Sequence, residues 1–239
     1  MPAKVKIGYV LGAYPKASQK EARMRAVRGR ADESIELHFL QAEAPMDVKN
    51  WTTQDTALSE GHYVEAFRRA EKEGCDAVVP DGMLDLGVEA GRSVVNIPVV
   101  APFEAAIHLA CCVGTRIGVL QYTSEFVPSV WAKVRKYAMG EYIVGVKALD
   151  IEMMDLADML AVVKERTVAA SRALIAEHAA EVIVPTGPGL CPVAVDPDWL
   201  SKEIGAPVVE GMGAPLHVAA ALVRLGLKQS RVRWPYSAR

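Results

Sequence analysis

Short runs of apolar, mostly β-branched residues alternate along the chain with longer segments whose apolar residues recur at helical spacing. Near-continuous apolar strands separated by amphipathic helices indicate an α/β architecture with buried, mostly parallel sheets. The predicted strands are Val5–Leu11, Ile35–Leu40, Ala77–Pro80, Ile97–Val100, Arg116–Gln121, Tyr142–Ala148, Val182–Pro185 and Pro207–Val209. The predicted helices lie near Ser59–Glu73, Ser124–Tyr137, Asp155–His178 and Pro215–Leu225.

The chain also contains an internal repeat. Four segments of the first half recur in the same order in the second half, at separations of 105 to 110 positions: KIGYV and RIGVL, AVVPDG and VIVPTG, IPVV and APVV, EAAIHLA and GAPLHVA. This order predicts a duplicated α/β unit of roughly 110 residues. We expect a first repeat at 1–112, a second at 113–212, and a C-terminal segment, 213–239, that packs back on the first.

The repeat predicts where a ligand site should lie. We expect two α/β units related by a pseudo-twofold axis, each with a mostly parallel four-stranded sheet flanked by helices. In open α/β sheets the ligand binds outside the carboxyl ends of the strands. The turns after Val79 and Val184 therefore become the candidate site, and we expect the active site in the cleft between the two units.

The two turns have similar backbones but different side chains. In the first turn Asp81 is followed by Gly82, and in the second Thr186 is followed by Gly187. Glycines after a strand let backbone N–H groups point toward an anion, so both glycines are candidate substrate-binding residues. Neither turn is a dinucleotide-binding or Walker loop, because GxGxxG and a Gly-Lys-Ser/Thr ending are absent.

In these features the chain resembles the aspartate/glutamate/hydantoin racemase superfamily, which also contains maleate isomerases and arylmalonate decarboxylases. The repeat, the residues after the strands, and the segments PVVAPFEAA and PVVEG carry the resemblance. Racemases of this superfamily have a cysteine in each turn: one thiolate removes the α-proton of the substrate and the opposite thiol returns one. Here the corresponding positions are Asp81 and Thr186, so both cysteines are replaced and the two-thiol mechanism cannot be carried over.

The replacements predict a chemically one-sided pair. Asp81 can act as a general base if burial raises its pKa from about 3.9 toward neutrality. Thr186 is too weak an acid to protonate a carbanion readily, but its hydroxyl can bind a carboxylate or oxyanion. This favours a stereospecific decarboxylation or isomerisation over racemisation. Cys191, in the loop after Thr186, is a third catalytic candidate, because its thiol could reach back into the turn.

Further polar residues are candidates for substrate binding. The loops after the first strand of each repeat offer hydroxyl groups, and in relatives these loops bind the substrate carboxylate; the residues are Tyr14, Tyr122, Thr123 and Ser124. Glu104 and His217 follow the fourth predicted strand of each repeat and complete the set. Structural alternatives stay open: Asp81 and Thr186 can cap a helix, Cys191 can be a small core residue, and His217 can be satisfied locally.

The resemblance implies a racemase, epimerase or cis–trans isomerase that forms an enolate-like intermediate of a small carboxylate or cyclic amide. It implies no cofactor, neither pyridoxal phosphate nor a metal, and a homo-oligomer. The alternatives are a decarboxylase or other lyase, a hydrolase in which Asp81 activates water, and a non-catalytic small-molecule binder.

Composition narrows the kinds of partner and the cellular compartment that we expect for the protein. A net charge of −2, with 51% apolar and 23% charged residues, is typical of a globular protein and argues against nucleic-acid or membrane-surface partners. The most apolar stretch, Ser93 to Gly114, contains Asn96 and two prolines, and predicts no membrane span. Four cysteines without a CxxC pair predict a cytoplasmic protein with no disulfide framework and no metal site.

Overall fold

The computed structural model describes residues 4–14, 16–44, 53–152 and 155–237. Six strands and eight α-helices are assigned within these ranges. In chain order they are β1 (Val5–Leu11), α1 (Ala17–Arg28), β2 (Ile35–Gln41), α2 (Thr53–Lys72), β3 (Ala77–Pro80), α3 (Val88–Val94), α4 (Pro102–Cys111), β4 (Ile117–Gln121), α5 (Val127–Lys136), β5 (Ile143–Ala148), α6 (Leu160–His178), β6 (Val182–Pro185), α7 (Pro197–Ile204) and α8 (Gly213–Arg224).

The chain divides into two units with the same sheet topology. Unit 1 comprises Met1–Pro102 with Met212–Arg239, and unit 2 comprises Phe103–Gly211. Unit 1 contains a parallel sheet of order β2-β1-β3, on which α2 and α8 pack. Unit 2 contains a parallel sheet of order β5-β4-β6, on which α5 and α6 pack. This arrangement confirms the predicted α/β class with parallel sheets flanked by helices.

Each sheet has three strands and not the predicted four. The segments predicted as fourth strands form only isolated parallel bridges, Val99 to Val78 in unit 1 and Val208 to Ile183 in unit 2. Each bridge has two backbone hydrogen bonds, such as that from the N–H of Val78 to the carbonyl of Pro98 at 2.9 Å. A proline lies in both segments and has no N–H to extend the pairing, so the ladder stops there.

The division between the units also differs from the predicted one. The prediction placed residues 103–112 in the first repeat, whereas the structure places them in unit 2. Phe103 at the start of α4 explains this, because its ring stacks on Tyr137 with centroids 6.4 Å apart and lies 5.6 Å from Lys133 Nζ. Residues Met212–Arg239 belong to unit 1, where α8 packs on β1 and β3.

The C-terminal residues of the described chain cover the end of α3 and the segment after it. Arg231 donates to the carbonyl oxygens of Arg92 and Val95, and Gln229 Oε1 accepts from the N–H of Val99. The N–H of Ser237 donates to the carbonyl of Ser93 at 2.8 Å. Within the described residues, no helix is both long enough and apolar enough to cross a membrane.

Gly91 and Gly61 give a matched test of helix packing in unit 1. A Cβ added to Gly91 of α3 would lie 2.5 Å from Phe67 Cδ2, whereas one added to Gly61 of α2 would meet nothing within 4 Å. We expect Gly91→Ala to lower the free energy of unfolding by about 1–3 kcal/mol. Gly61→Ala should raise it by about 0.5–1 kcal/mol through helix propensity. Urea unfolding measures both, and equal effects would contradict the close packing of α3 on α2.

Candidate active site

The turns after β3 and β6 have the same backbone geometry. The N–H of Asp81 donates to the carbonyl of Val10 at 2.7 Å, and the N–H of Thr186 donates to the carbonyl of Leu120 at 2.8 Å. The glycines that follow, Gly82 and Gly187, have φ values of 90° and 88°. Glycine adopts this left-handed region without steric cost, so both turns can have the same conformation.

The Asp81 carboxylate is the central group of unit 1. Its side chain is 7% exposed. Tyr9 Oη, from the middle of β1, donates to Oδ1 at 2.9 Å, and Tyr14 Oη, from the loop after β1, donates to Oδ2. Arg23 Nη1, from α1, lies 3.7 Å from Oδ1. Both oxygens of this buried carboxylate are therefore hydrogen-bonded, and a guanidinium group balances its charge.

The surrounding phenols have raised pKa values. Burial raises the pKa of Tyr9, Tyr14 and Tyr63 well above the ordinary value of 10.0, and the negative charge of Asp81 raises each further. Arg23 lowers these pKa values, but its effect is smaller than that of burial and of Asp81. The three phenols therefore stay protonated at neutral pH, and Tyr9 and Tyr14 serve as hydrogen-bond donors, not as bases.

The equivalent turn of unit 2 is covered by a side chain. Thr186 is buried, and its Oγ1 donates to the carbonyl of Leu120 at 2.7 Å. Tyr122 Oη accepts from the N–H of Leu190 at 3.0 Å. A Cβ added to Gly187 would lie 2.2 Å from Tyr122 Oη, whereas one added to Gly82 in unit 1 would meet nothing within 4 Å. The space beside the glycine is thus filled by a phenol in unit 2 and open in unit 1.

Cys191 lies in the distorted helical turn Gly189–Ala194 of unit 2. The residue is fully buried, and its N–H donates to the carbonyl of Gly187 at 3.2 Å. That its thiol reaches back into the Thr186 turn stays a prediction, and a thiol with no exposed surface lacks access to solvent.

The other predicted binding residues lie at several places. In unit 2, Ser124 Oγ donates to Asp150 at 2.6 Å, and the buried Thr123 Oγ1 has no hydrogen-bond partner within the described part of the chain. Glu104 lies in the first turn of α4, where its carbonyl contacts the His108 ring.

His217 lies on unit 1 and is half exposed. Its ring contacts the carbonyl of Arg30 and the carboxylate of Asp32, in the turn before β2. These partners differ from those of Asp81, which are Tyr9, Tyr14 and Arg23.

Sequence reasoning identified Asp81 and Tyr14 but missed Tyr9, Arg23 and Tyr63. Comparison of the two repeats contained a signal for one of them. Tyr9 pairs in register with Val79 next to it, whereas the equivalent residue of β4 is Val119. A tyrosine in a strand whose other buried residues are aliphatic or glycine, in the repeat that also carries Asp81, indicates a hydrogen bond between them. Among the described residues, no three His, Cys, Asp or Glu side chains are grouped closely enough to hold a metal ion.

Comparisons with known proteins agree with this fold. A family model described as Asp/Glu/Hydantoin racemase matches residues 19–221. The hydantoin racemase of Pseudomonas sp. (strain NS671) is 27% identical over 180 residues, which cover 75% of this chain and 71% of that protein. The hydantoin racemase of Rhizobium meliloti is 29% identical over 185 residues, covering 74% and 73%. The allantoin racemase structure from Klebsiella pneumoniae superposes with a TM-score of 0.88 at 22% identity, covering 99% of this chain and 95% of that one.

The buried phenols predict how stability varies with pH. Because the folded pKa values of Tyr9, Tyr14 and Tyr63 lie above the unfolded value of about 10, the folded chain retains protons that the unfolded chain loses. Their contribution to stability is complete below about pH 10 and declines as the pH rises further. We expect the free energy of unfolding in urea to fall above that pH.

Two tyrosine variants test whether the buried phenols cause this fall in the free energy of unfolding. Tyr63→Phe should make the dependence less steep, whereas Tyr236→Phe, which changes a 48% exposed residue, should leave it unchanged. Tyrosinate absorbance of the folded protein supplies an independent measure. Ionisation of every tyrosine of the folded protein near its ordinary pKa would contradict the buried cluster.

Proposed function

The chain belongs to the Asp/Glu/hydantoin racemase family, and we propose that it racemises or epimerises a neutral cyclic amide of the hydantoin type. In this proposal Asp81 removes a proton from the substrate, which becomes an enolate. Membership of the family confirms the resemblance inferred from the sequence and makes the chain an enzyme of the racemase and isomerase class. That Asp81 and Thr186 occupy the two cysteine positions of the family stays a prediction.

The observation that carries the proposal is a buried carboxylate beside an open turn. A carbon next to a carbonyl group loses its proton to a base, and the electron pair of the broken C–H bond moves onto the carbonyl oxygen. In our proposal Asp81 is that base, since it directly precedes Gly82, where a Cβ would meet nothing within 4 Å. The planar enolate carries no stereocentre, so return of a proton to either face gives a mixture of configurations.

Charge balance supports a cyclic amide over a carboxylate as substrate. Asp81 and Arg23 together carry no net charge, and both are largely removed from water, with side chains 7% and 13% exposed. A substrate carboxylate brought beside Asp81 would be repelled at low dielectric, where screening is weak. A neutral ring with an acidified C–H bond avoids this repulsion. The hydantoin and allantoin racemases to which the chain is similar support the same substrate class.

Thr186 and Cys191 are not the proton-transfer groups in this proposal. The Thr186 hydroxyl already donates a hydrogen bond to the carbonyl oxygen of Leu120, and Cys191 is fully buried. No step requires a cofactor or a metal ion: Asp81 takes the proton from one face of the ring, water returns a proton to the opposite face of the enolate, and Asp81 then releases its own proton to solvent. This cofactor-independent chemistry is part of the proposal.

A decarboxylase or other lyase is the second candidate. The asymmetry of the two turns favours it: unit 1 has Asp81 beside an open glycine, whereas Tyr122 covers Gly187 in unit 2. One acid–base group is sufficient for a lyase that protonates a carbanion on one face. It is less suited to exchange on two faces, for which the family uses a pair of groups.

Replacement of Asp81 tests its role as the base. Asp81→Asn keeps the size of the side chain and removes its basicity, so we expect kcat to fall by about 10²–10⁴-fold. Asp32→Asn is the matched control, because Asp32 is a half-exposed carboxylate of the same unit that accepts from Ser34. Circular dichroism shows whether both variants are folded. Wild-type turnover by Asp81→Asn would remove Asp81 from the mechanism.

Proton NMR in D₂O with EDTA distinguishes the two candidate functions. The panel consists of substituted hydantoins, allantoin, maleate, aspartate and an arylmalonate. We expect the ring proton of a hydantoin to exchange for deuterium without formation of a second compound, because the enolate is reprotonated by solvent-derived deuterons. A decarboxylated or cleaved product would instead support the lyase. Loss of exchange on addition of EDTA would contradict cofactor independence.

A further inference from the structure

The two phenols that bind Asp81 differ in their freedom to move. Tyr9 is fully buried in the middle of β1, where strand pairing on both sides fixes its backbone. Tyr14 lies in the loop after β1 and is partly exposed. Loop residues are less restrained than residues of a central strand. A change of hydrogen-bond partner is therefore easier for Tyr14 than for Tyr9.

The hydrogen bonds of Asp81 determine which of its oxygens can meet a substrate. Oδ1 accepts from the buried Tyr9 and lies 3.7 Å from Arg23 Nη1, so it faces the interior of unit 1. Oδ2 accepts from Tyr14, which reaches the surface. A C–H bond approaching from outside meets Oδ2 first. The base becomes available there when the Tyr14 O–H turns to another acceptor.

We propose that Tyr14 is a catalytic residue. Its O–H changes hydrogen-bond acceptor, from Asp81 Oδ2 to the substrate carbonyl oxygen next to the carbon that loses its proton. This role rests on the proposed function. In the step, the C–H bond breaks, its proton forms an O–H bond on Oδ2, and its electron pair becomes the negative charge of the enolate oxygen. The Tyr14 proton is not transferred, and it stays hydrogen-bonded to whichever oxygen carries the charge. The reverse step restores the Asp81 carboxylate and the Tyr14 bond.

The chemistry of the site supports this exchange. A hydrogen bond to a charged acceptor is stronger than one to a neutral acceptor, so the Tyr14 O–H stabilises Asp81 before proton transfer and the enolate after it. Because its pKa is raised by burial and by Asp81, Tyr14 keeps its proton throughout. The Arg23 guanidinium lies 5.8 Å from the centre of the Tyr14 ring and brings positive charge close to the place where the oxyanion forms.

Deuterium exchange of benzylhydantoin, followed by proton NMR, tests the role in the wild-type protein and in Tyr14→Phe. We expect kcat to fall by about 100-fold, as for loss of one donor to an oxyanion, and KM to change by less than about threefold. Tyr9→Phe is the matched control, because it removes a phenol from the same carboxylate but from the buried oxygen. Its kcat should fall by less than about tenfold. Thermal unfolding shows that each variant is folded.

A sulfur analogue separates a donor to the substrate from a residue that only positions Asp81. In thioxo-benzylhydantoin, sulfur replaces the carbonyl oxygen beside the acidic carbon, and sulfur is a weak hydrogen-bond acceptor. The effect of Tyr14→Phe on kcat should shrink to less than about tenfold with this substrate. An equal effect of Tyr14→Phe on kcat with both substrates, or an unchanged kcat with benzylhydantoin, would overturn the role of Tyr14. Either result would leave the proposed function standing. No exchange by the wild-type protein would remove the proposed function, and this role with it.

Discussion

Burial of the Asp81 carboxylate constrains the rest of unit 1. An ion removed from water costs several kcal/mol unless hydrogen bonds and an opposite charge compensate it. Each of three consecutive segments supplies part of that compensation: β1 carries Tyr9, the loop after it Tyr14, and α1 Arg23. The position of α1 is notable, because its sequence is polar and only Val27 is buried in it. The ion pair with Asp81 gives this helix a specific contact that its weak apolar face does not.

The two units have the same backbone arrangement but different side chains at the equivalent turns. Strand order, register and the positive φ of the glycine in the turn agree between them, while the side chains at equivalent positions differ. Tyr9 in β1 corresponds to Val119 in β4, so the donor beside Asp81 has no counterpart in unit 2. After the same two strands, Gly12 corresponds to Tyr122, whose ring fills the space beside Gly187, whereas the equivalent space beside Gly82 is open. The buried carboxylate and its two phenol donors are thus in unit 1, whereas a packed side chain fills the equivalent turn of unit 2.

The sequence predicts the strands well because their apolar runs are short, β-branched and bounded by turn residues. Val5–Leu11, Ala77–Pro80 and Val182–Pro185 agree with the structure at both ends. Helices α1 and α7 are not predicted from the sequence, because α1 is polar on most sides and α7 is a single short segment beginning at Pro197. The residues around Asp81 are harder still, because each contact joins positions far apart in the chain. The separation is 72 residues for Tyr9 and 67 for Tyr14, beyond the reach of any local spacing rule.

The same hydrogen bonds that make the buried carboxylate tolerable also oppose its use as a base. A carboxylate bound firmly through both oxygens would be stable and unreactive, whereas one with no partners would not stay ionised inside the unit. A base can work here only if one bond is permanent and the other can be exchanged. The fold supplies this difference directly, since a central strand carries Tyr9 and a loop carries Tyr14. In the proposed mechanism, the secondary structure that holds each phenol therefore determines which oxygen of Asp81 is structural and which is reactive.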